Sequence, residues 1–249
     1  MIDLHCHILP LIDDGPGSWE MTAEMCRMAA QDGICHIVAT PHANQQYTYD
    51  RPRYEAMLQK LQASCGDSLK FSLGCDFHFS YHNIEDAILH PLRYTIAHSN
   101  YLLIEFNAFS LMPAIRKGIF RIVSSGIVPI VTHPERNPVL LDRPDAVLDL
   151  VDYGCLIQVT GSSFTGQWGS RPQRLAEWLL KRDAVHIVAS DAHDTRHRPP
   201  ILSVAYERVR TLTNQNLAQA LFVDNPSTIV STEASPPRVV HPVILPPDS

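Results

Sequence analysis

No apolar run in this 249-residue sequence reaches the roughly 18 residues of a membrane span. Nor does a basic and then apolar leader precede the first strand-like segment, so a soluble, cytoplasmic protein and not a membrane protein is expected. The six cysteines include no Cys-x-x-Cys pair, which argues against a disulfide framework or thiolate metal site and for reduced core thiols. None is followed six positions later by arginine, which excludes the Cys-x5-Arg loop of cysteine phosphatases. There is no basic stripe either: 20 Lys and Arg stand against 26 Asp and Glu, for a net charge of -6, and nucleic acid is not an expected partner. No internal repeat is visible.

What is there begins with Met1-Ile-Asp-Leu-His-Cys-His7. In a regular strand, side chains two apart point the same way, so Asp3, His5 and His7 are expected on one face and Ile2, Leu4 and Cys6 on the other. One His-x-His is weak evidence for a metal, but the pattern recurs along the chain. Val-Ala-Thr-Pro-His42, Ser-Leu-Gly-Cys-Asp76, Tyr-Leu-Leu-Ile-Glu105, Pro-Ile-Val-Thr-His133 and Val-Ala-Ser-Asp191-Ala-His193 are all apolar, β-rich runs that end in a metal-ligand type of residue.

Between these runs lie helical patterns, giving strand then helix about seven times and hence parallel strands with helical crossovers. Ser18 is placed to cap a helix ending at Gly33. The strands are expected at residues 1–7, 35–42, 70–78, 101–106, 128–132, 156–160 and 185–189, with an irregular stretch and one short helix between Glu85 and Asn100. A 249-residue chain suits a single α/β domain, here a distorted (β/α)7 TIM-like barrel over residues 1–230. The segment 231–249, with Pro236, Pro237, Pro242, Pro246 and Pro247, lacks either periodicity and reads as a disordered tail.

In such a barrel the C-terminal strand ends share one face, where sites are built. His5, His7, Asp14, His42, Asp76, Glu105, His133, Asp191 and His193 would meet there: nine oxygen or nitrogen donors, no thiolate. One tetrahedral ion uses about four protein donors, so two or three divalent ions are implied, and the mixed ligation admits manganese, iron or zinc. This is the donor set of metal-assisted phosphoester hydrolysis.

Taken together, His5-Cys-His7, the Asp13-Asp-Gly-Pro16 loop, Thr40-Pro-His42, Ile104-Glu-Phe106, His133-Pro-Glu-Arg136 and Ala189-Ser-Asp-Ala-His193 resemble the PHP superfamily, named for polymerase and histidinol phosphatase domains. Within it the chain looks most like the CpsB-like tyrosine phosphatases of capsular and exopolysaccharide clusters. The resemblance implies a trinuclear site, manganese being the first candidate metal. His5, His7 and Asp191 would hold one ion, Glu105 and His133 a second, Asp14, His42 and His193 a third, and Asp76 would bridge. The family has glutamate where this chain has Asp76, and His78, two residues on, is a candidate to compensate for the shorter arm. Arg136 and Arg198 would hold the phosphoryl oxygens.

The implied function is hydrolysis of phosphotyrosine on a bacterial tyrosine kinase of polysaccharide assembly, by metal-activated water. Two other readings fit the residues: a PHP phosphoesterase for a small metabolite such as histidinol phosphate, and a metal-stabilised binding module without turnover.

Overall fold

A computed structural model of the protein describes residues 1–108 and 112–231. The proline-rich tail expected from residue 231 lies, beyond Ser231 itself, outside the described residues. Among the described residues nine short strands, all paired in parallel, form the framework: β1 (Ile2–Cys6), β2 (His36–Ala39), β3 (His42–Ala43), β4 (Lys70–Leu73), β5 (Asp76–His78), β6 (Tyr101–Glu105), β7 (Val128–Thr132), β8 (Leu156–Thr160) and β9 (Ile187–Ala189).

The architecture is mixed α/β as expected, and among the described residues the strands are hydrogen-bonded as two parallel sheets, not as one continuous barrel sheet. They form a three-stranded sheet, β1-β2-β4, and a six-stranded sheet, β3-β5-β6-β7-β8-β9. The division arises where two expected strands break. The run 35–42 is interrupted at Thr40-Pro41, where proline has no N–H to give a ladder, and the run 70–78 at Gly74-Cys75. Gly74 is also a packing requirement, because a Cβ there would come within 3.1 Å of Ile96 and Val38. Past the breaks the two chains pair again, His42 beside Asp76, so each break re-aims a ligand-type residue. The sheets meet through an isolated parallel bridge between Cys6 and Ala192, flanked by His7 N to Ala192 O and Asp191 N to His5 O, both 2.8 Å.

A second departure lies in β1. Asp3 pairs with Ile37 and Cys6 with Ala39, so three steps of β1 run against two of β2. This bulge reverses the alternation. Ile2 and Leu4 join an inner apolar cluster with Val38, Leu103, Ile130, Leu156 and Ile187, whereas Cys6, Ile37 and Ala39 belong to the outer core beneath the helices. Asp3, opposite Ile37, is therefore separated from His5 and His7 instead of sharing their face. It acts as a brace, accepting from Ser190 N at 2.9 Å and Ser190 Oγ at 2.5 Å.

The helices form the outer layer. Ser18 accepts from Met21 N to start Trp19–Gln31, Asp50 does the same for Arg51–Cys65, and the region around Glu85 resolves into Tyr81–Leu89, capped by Ser80, followed by two 3-10 turns. Met112–Ser124, Asp145–Asp152, Ser170–Leu180 and Ser203–Leu212 complete the larger crossovers. Ile229, on the last helix (Asn225–Val230), packs into the inner cluster beside Ile96. That apolar floor closes the end of the strands remote from the site. Along the inner face each strand then changes character within a few residues: Leu103 to Glu105, Leu156 to Gln158, Ile187 to Asp191.

Candidate metal centre

Immediately above the inner apolar layer, imidazoles and carboxylates converge. Three groups of donors each have ligand atoms within 4.8 Å of one another: His7, Asp14, His42 and His193; His5, His7 and Asp76; His42, Asp76 and Glu105. His7, His42 and Asp76 each belong to two groups, so the cluster is continuous. The sets the resemblance implied lie close as well: the ligand atoms of His5, His7 and Asp191 are 3.3 to 3.7 Å apart, and Asp14 Oδ1 is 3.3 Å from His42 Nε2 and 3.4 Å from His193 Nε2. Asp191 and His133 border the groups: Asp191 Oδ1 is 3.3 Å from His5 Nε2 and 3.7 Å from His7 Nε2, and His133 Nε2 is 3.6 Å from Glu105 Oε1.

Asp76 lies at the centre despite its short arm. Its Oδ2 is 3.3 Å from His42 Nδ1, 3.5 Å from His5 Nε2 and 3.9 Å from His7 Nε2. His78 is aligned with Glu105 across β5 and β6 but belongs to none of the three groups found among the described residues.

The donors suit cations. His5 Nδ1 is 3.1 Å from Gln158 Oε1, and His7 Nδ1 is 2.8 Å from Asp13 Oδ2. Both oxygens can only accept, so both Nδ1 atoms carry the proton and the two Nε2 atoms are left as lone pairs. Those lone pairs face each other at 3.3 Å. A positive charge between them relieves that repulsion: a bound cation, or in its absence the second proton that Asp191 and Asp76 hold on His5. His42 Nδ1 and Asp76 Oδ1 are likewise buried with no hydrogen-bond partner, an arrangement that costs free energy unless something coordinates them.

The electrostatics point the same way. Burial opposes charge on His5, yet Asp191 and Asp76 outweigh it and raise its pKa to about 9. On His42 burial is likewise outweighed, by Asp14, Asp76 and Glu105, and the value rises to about 10. Burial and then His193 bring His7 down to about 4, against the pull of Asp13. Glu105 is pushed up to about 7, by burial and by Asp76. These are groups competing for too little positive charge, the condition that a divalent ion removes.

Two arginines stand at the edge. Arg136 Nη1 is 2.5 Å and Arg198 Nη2 2.6 Å from the same oxygen, Asp191 Oδ2. Although burial would raise the Asp191 pKa, Arg136, His5 and Arg198 hold it well below the usual carboxylate range. Backbone strain is present here too. His133 and Asp191 follow the ends of β7 and β9 with φ of 33° and 54°, in the left-handed region that non-glycine residues avoid. Three residues the sequence reading did not assign support the cluster: Asp13, Gln158 and Trp168, whose ring centroid lies 4.2 Å from the Arg136 guanidinium carbon. The doubled aspartate before Gly15 and a lone glutamine inside the apolar run Leu156–Thr160 were the available signals.

The chain matches the family described as capsular polysaccharide synthesis, CpsB/CapC, over residues 1–231. It is 31% identical over 239 residues to the tyrosine-protein phosphatase CpsB of Streptococcus pneumoniae, spanning 92% of this chain and 98% of that protein. Similarity to the tyrosine-protein phosphatase YwqE of Bacillus subtilis strain 168 is 32% over 203 residues, or 80% of this chain and 79% of the other. Among solved structures, one from the study of YwqE and CpsB, described as unique metal-dependent tyrosine phosphatases, superposes with a TM-score of 0.83 at 28% identity, covering 92% of this chain and 94% of that one. A histidinol phosphate phosphatase from Lactococcus lactis, at a TM-score of 0.60 and 12% identity over 89% of this chain and 94% of the other, shares the fold.

Proposed function

The chain belongs to the CpsB/CapC family, and we propose that it is a metal-dependent protein-tyrosine phosphatase that hydrolyses phosphotyrosine on a bacterial tyrosine kinase of capsular or exopolysaccharide assembly. The observation that carries this reading is the pair of arginines converging on Asp191 beside imidazoles whose Nε2 atoms face one another. A phosphate monoester needs both halves: cations for the attacking and leaving oxygens, and planar donors for the rest.

In this reading His5, His7, Asp14, His42, Asp76, Glu105, His133, Asp191 and His193 hold two or three divalent ions, manganese first among the candidates. Such ions, when bound, supply Lewis acidity and a water deprotonated near neutral pH. The remaining work belongs to the chain. Arg136 and Arg198 hold the phosphoryl oxygens and offset the charge that develops on them. Asp13 and Gln158 keep His7 and His5 in the tautomer that presents Nε2 to the site. Tyrosine is a fair leaving group, with a reference pKa of about 10, so no strong general acid is required.

No cysteine nucleophile takes part. Cys6 and Cys75 are fully buried, and burial pushes both thiols well above their ordinary pKa, which suits packing and not attack on phosphorus. All six cysteines are unpaired. Among the described residues, no helix is long and apolar enough to cross a membrane.

The test is phosphate release from a phosphotyrosyl peptide with manganese supplied, beside histidinol phosphate and a chelator-treated control. Chelator-sensitive release that prefers the peptide is expected. Preference for histidinol phosphate would move the substrate to small-molecule metabolism, and no release from either with metal bound would leave a binding module.

A further inference from the structure

Next to the proposed phosphoryl site is a cavity of about 200 Å³, formed where the segments after β8 and β9 face each other. Its walls are chiefly apolar, from Trp168, Pro199, Ile201 and Val204, with Ser162 and Gln167 among them, and Arg198 lines it as well. Arg198 is thus common to both spaces: its Nη2 holds Asp191 while its side chain borders the cavity.

The walls are held in place from several sides. The Trp168 indole N–H donates to Ser162 Oγ at 2.9 Å, and the ring carries the Arg136 guanidinium on one face. Gln167 Nε2 donates to His197 O, tying the two segments together. At Gly161 a Cβ would approach Ala205 Cβ to 3.1 Å, so the segments are in close contact where these residues meet. Val204, by contrast, is 60% exposed, an apolar side chain left open to solvent with no packing duty that the core requires.

Size and lining narrow the occupant. Ligand pockets for cofactors and drug-sized molecules run from roughly 300 Å³ upward, whereas an apolar cavity of about 150 Å³ takes a guest the size of benzene. This space therefore fits one large apolar side chain. In an extended peptide, side chains two apart share a face and lie about 7 Å from each other, a spacing that lets one enter this cavity while its neighbour reaches across Arg198.

We propose that the Trp168–Val204 cavity is a specificity subsite that takes an apolar side chain two residues from the phosphotyrosine of the peptide substrate. This rests on the tyrosine-phosphatase reading and adds a sequence preference to it. Binding here makes no contact with the reacting atoms, so it acts on peptide recognition and leaves the turnover of a substrate without flanking residues alone.

The experiment compares phosphotyrosyl peptides carrying leucine or serine at the positions two residues either side of the phosphotyrosine, with free O-phosphotyrosine as reference. Wild-type protein, loaded with manganese, is set beside Val204→Trp, which fills the mouth from an exposed position, and Val204→Asp, which makes it polar. Wild type is expected to favour the leucine peptide about tenfold in kcat/KM, the scale of discrimination a small apolar pocket achieves, mainly through KM. Both variants should bring that ratio close to one while hydrolysing O-phosphotyrosine as wild type does. A ratio near one in wild type, or one unchanged in both variants, overturns the subsite alone. Failure of wild type to hydrolyse O-phosphotyrosine overturns the phosphatase reading and the subsite with it.

Discussion

His7 Nδ1 lies 2.8 Å from Asp13 Oδ2, and that same oxygen accepts the backbone N–H of His42 at 3.2 Å. One buried carboxylate therefore sets the tautomer of one ligand-type histidine and the backbone position of another. Asp13→Ala should lower manganese affinity about 10- to 100-fold, the usual effect of losing such a partner, with little change in the far-ultraviolet circular dichroism. Titration calorimetry reads the affinity; an unchanged value would make the contact merely structural.

Arg136→Ala should reduce kcat/KM for a phosphotyrosyl peptide by about 10²- to 10³-fold, the typical loss when one preorganised donor is removed from a developing charge. Arg136→Lys should recover only part, because an ammonium keeps the charge but lacks the planar fork that reaches Asp191 and an adjacent oxygen together. Activity of the alanine variant equal to wild type would remove Arg136 from the site.

Stripping divalent ions with a chelator should lower thermal stability, because His5, His7 and Asp76 are fully or almost fully buried and lose their compensating charge. Ligand at about 100 times its dissociation constant adds about 2.7 kcal/mol to the folded state, which for a chain of this length is a melting shift of roughly 5 to 10 °C. Differential scanning fluorimetry across a manganese series tests this. A flat melting temperature would contradict a metal-braced cluster.

Gly118→Ala should destabilise the fold without touching the site. An added Cβ would overlap Phe79 Cζ and lie 2.9 Å from Phe79 Cε1 and 3.0 Å from Ile84 Cδ1, in the seam between the Tyr81–Leu89 and Met112–Ser124 helices. Overpacking of this kind costs about 1 to 3 kcal/mol. Urea unfolding measures it, and a midpoint equal to wild type would show that the ring moves aside freely.

His36 should contribute a loss of stability on mild acidification. Burial and then Lys70 hold its pKa below the ordinary 6.5. The unfolded chain thus binds a proton that the folded chain does not, so its contribution is complete above pH 6.5 and is lost as pH drops toward the folded value. Melting curves between pH 8 and 5.5 should be less pH-dependent for His36→Gln. Identical slopes in variant and wild type would assign the effect elsewhere.

Strands after Gly126 and Gly154 were readable as short β-rich runs bounded by turn residues, and their positions agree with Val128–Thr132 and Leu156–Thr160. The helix from Trp19 was readable from its Ser18 cap. Less visible was the break at Thr40-Pro41, since a proline near a strand end is compatible with either a shortened strand or a kinked one. Tyr81–Leu89 begins before the region expected to be irregular, because its start depends on Ser80 accepting from Asn83 N, and the Asn83 amide donates in turn to His78 O on the preceding strand and to Ala43 O on the more distant β3.

The sequence by itself determined the chemistry: apolar, β-rich runs ending in imidazole or carboxylate, without a thiolate, allow few sites other than a cation cluster at one end of a parallel sheet. Those ligand types are local facts, recorded in the order of the residues. Which donors share an ion's place, and which residues hold them, only the tertiary structure decided. The bulge that separates Asp3 from His5, and the convergence of Arg136 and Arg198 on one oxygen of Asp191, arise from register and long-range approach, and neither leaves a mark in local periodicity.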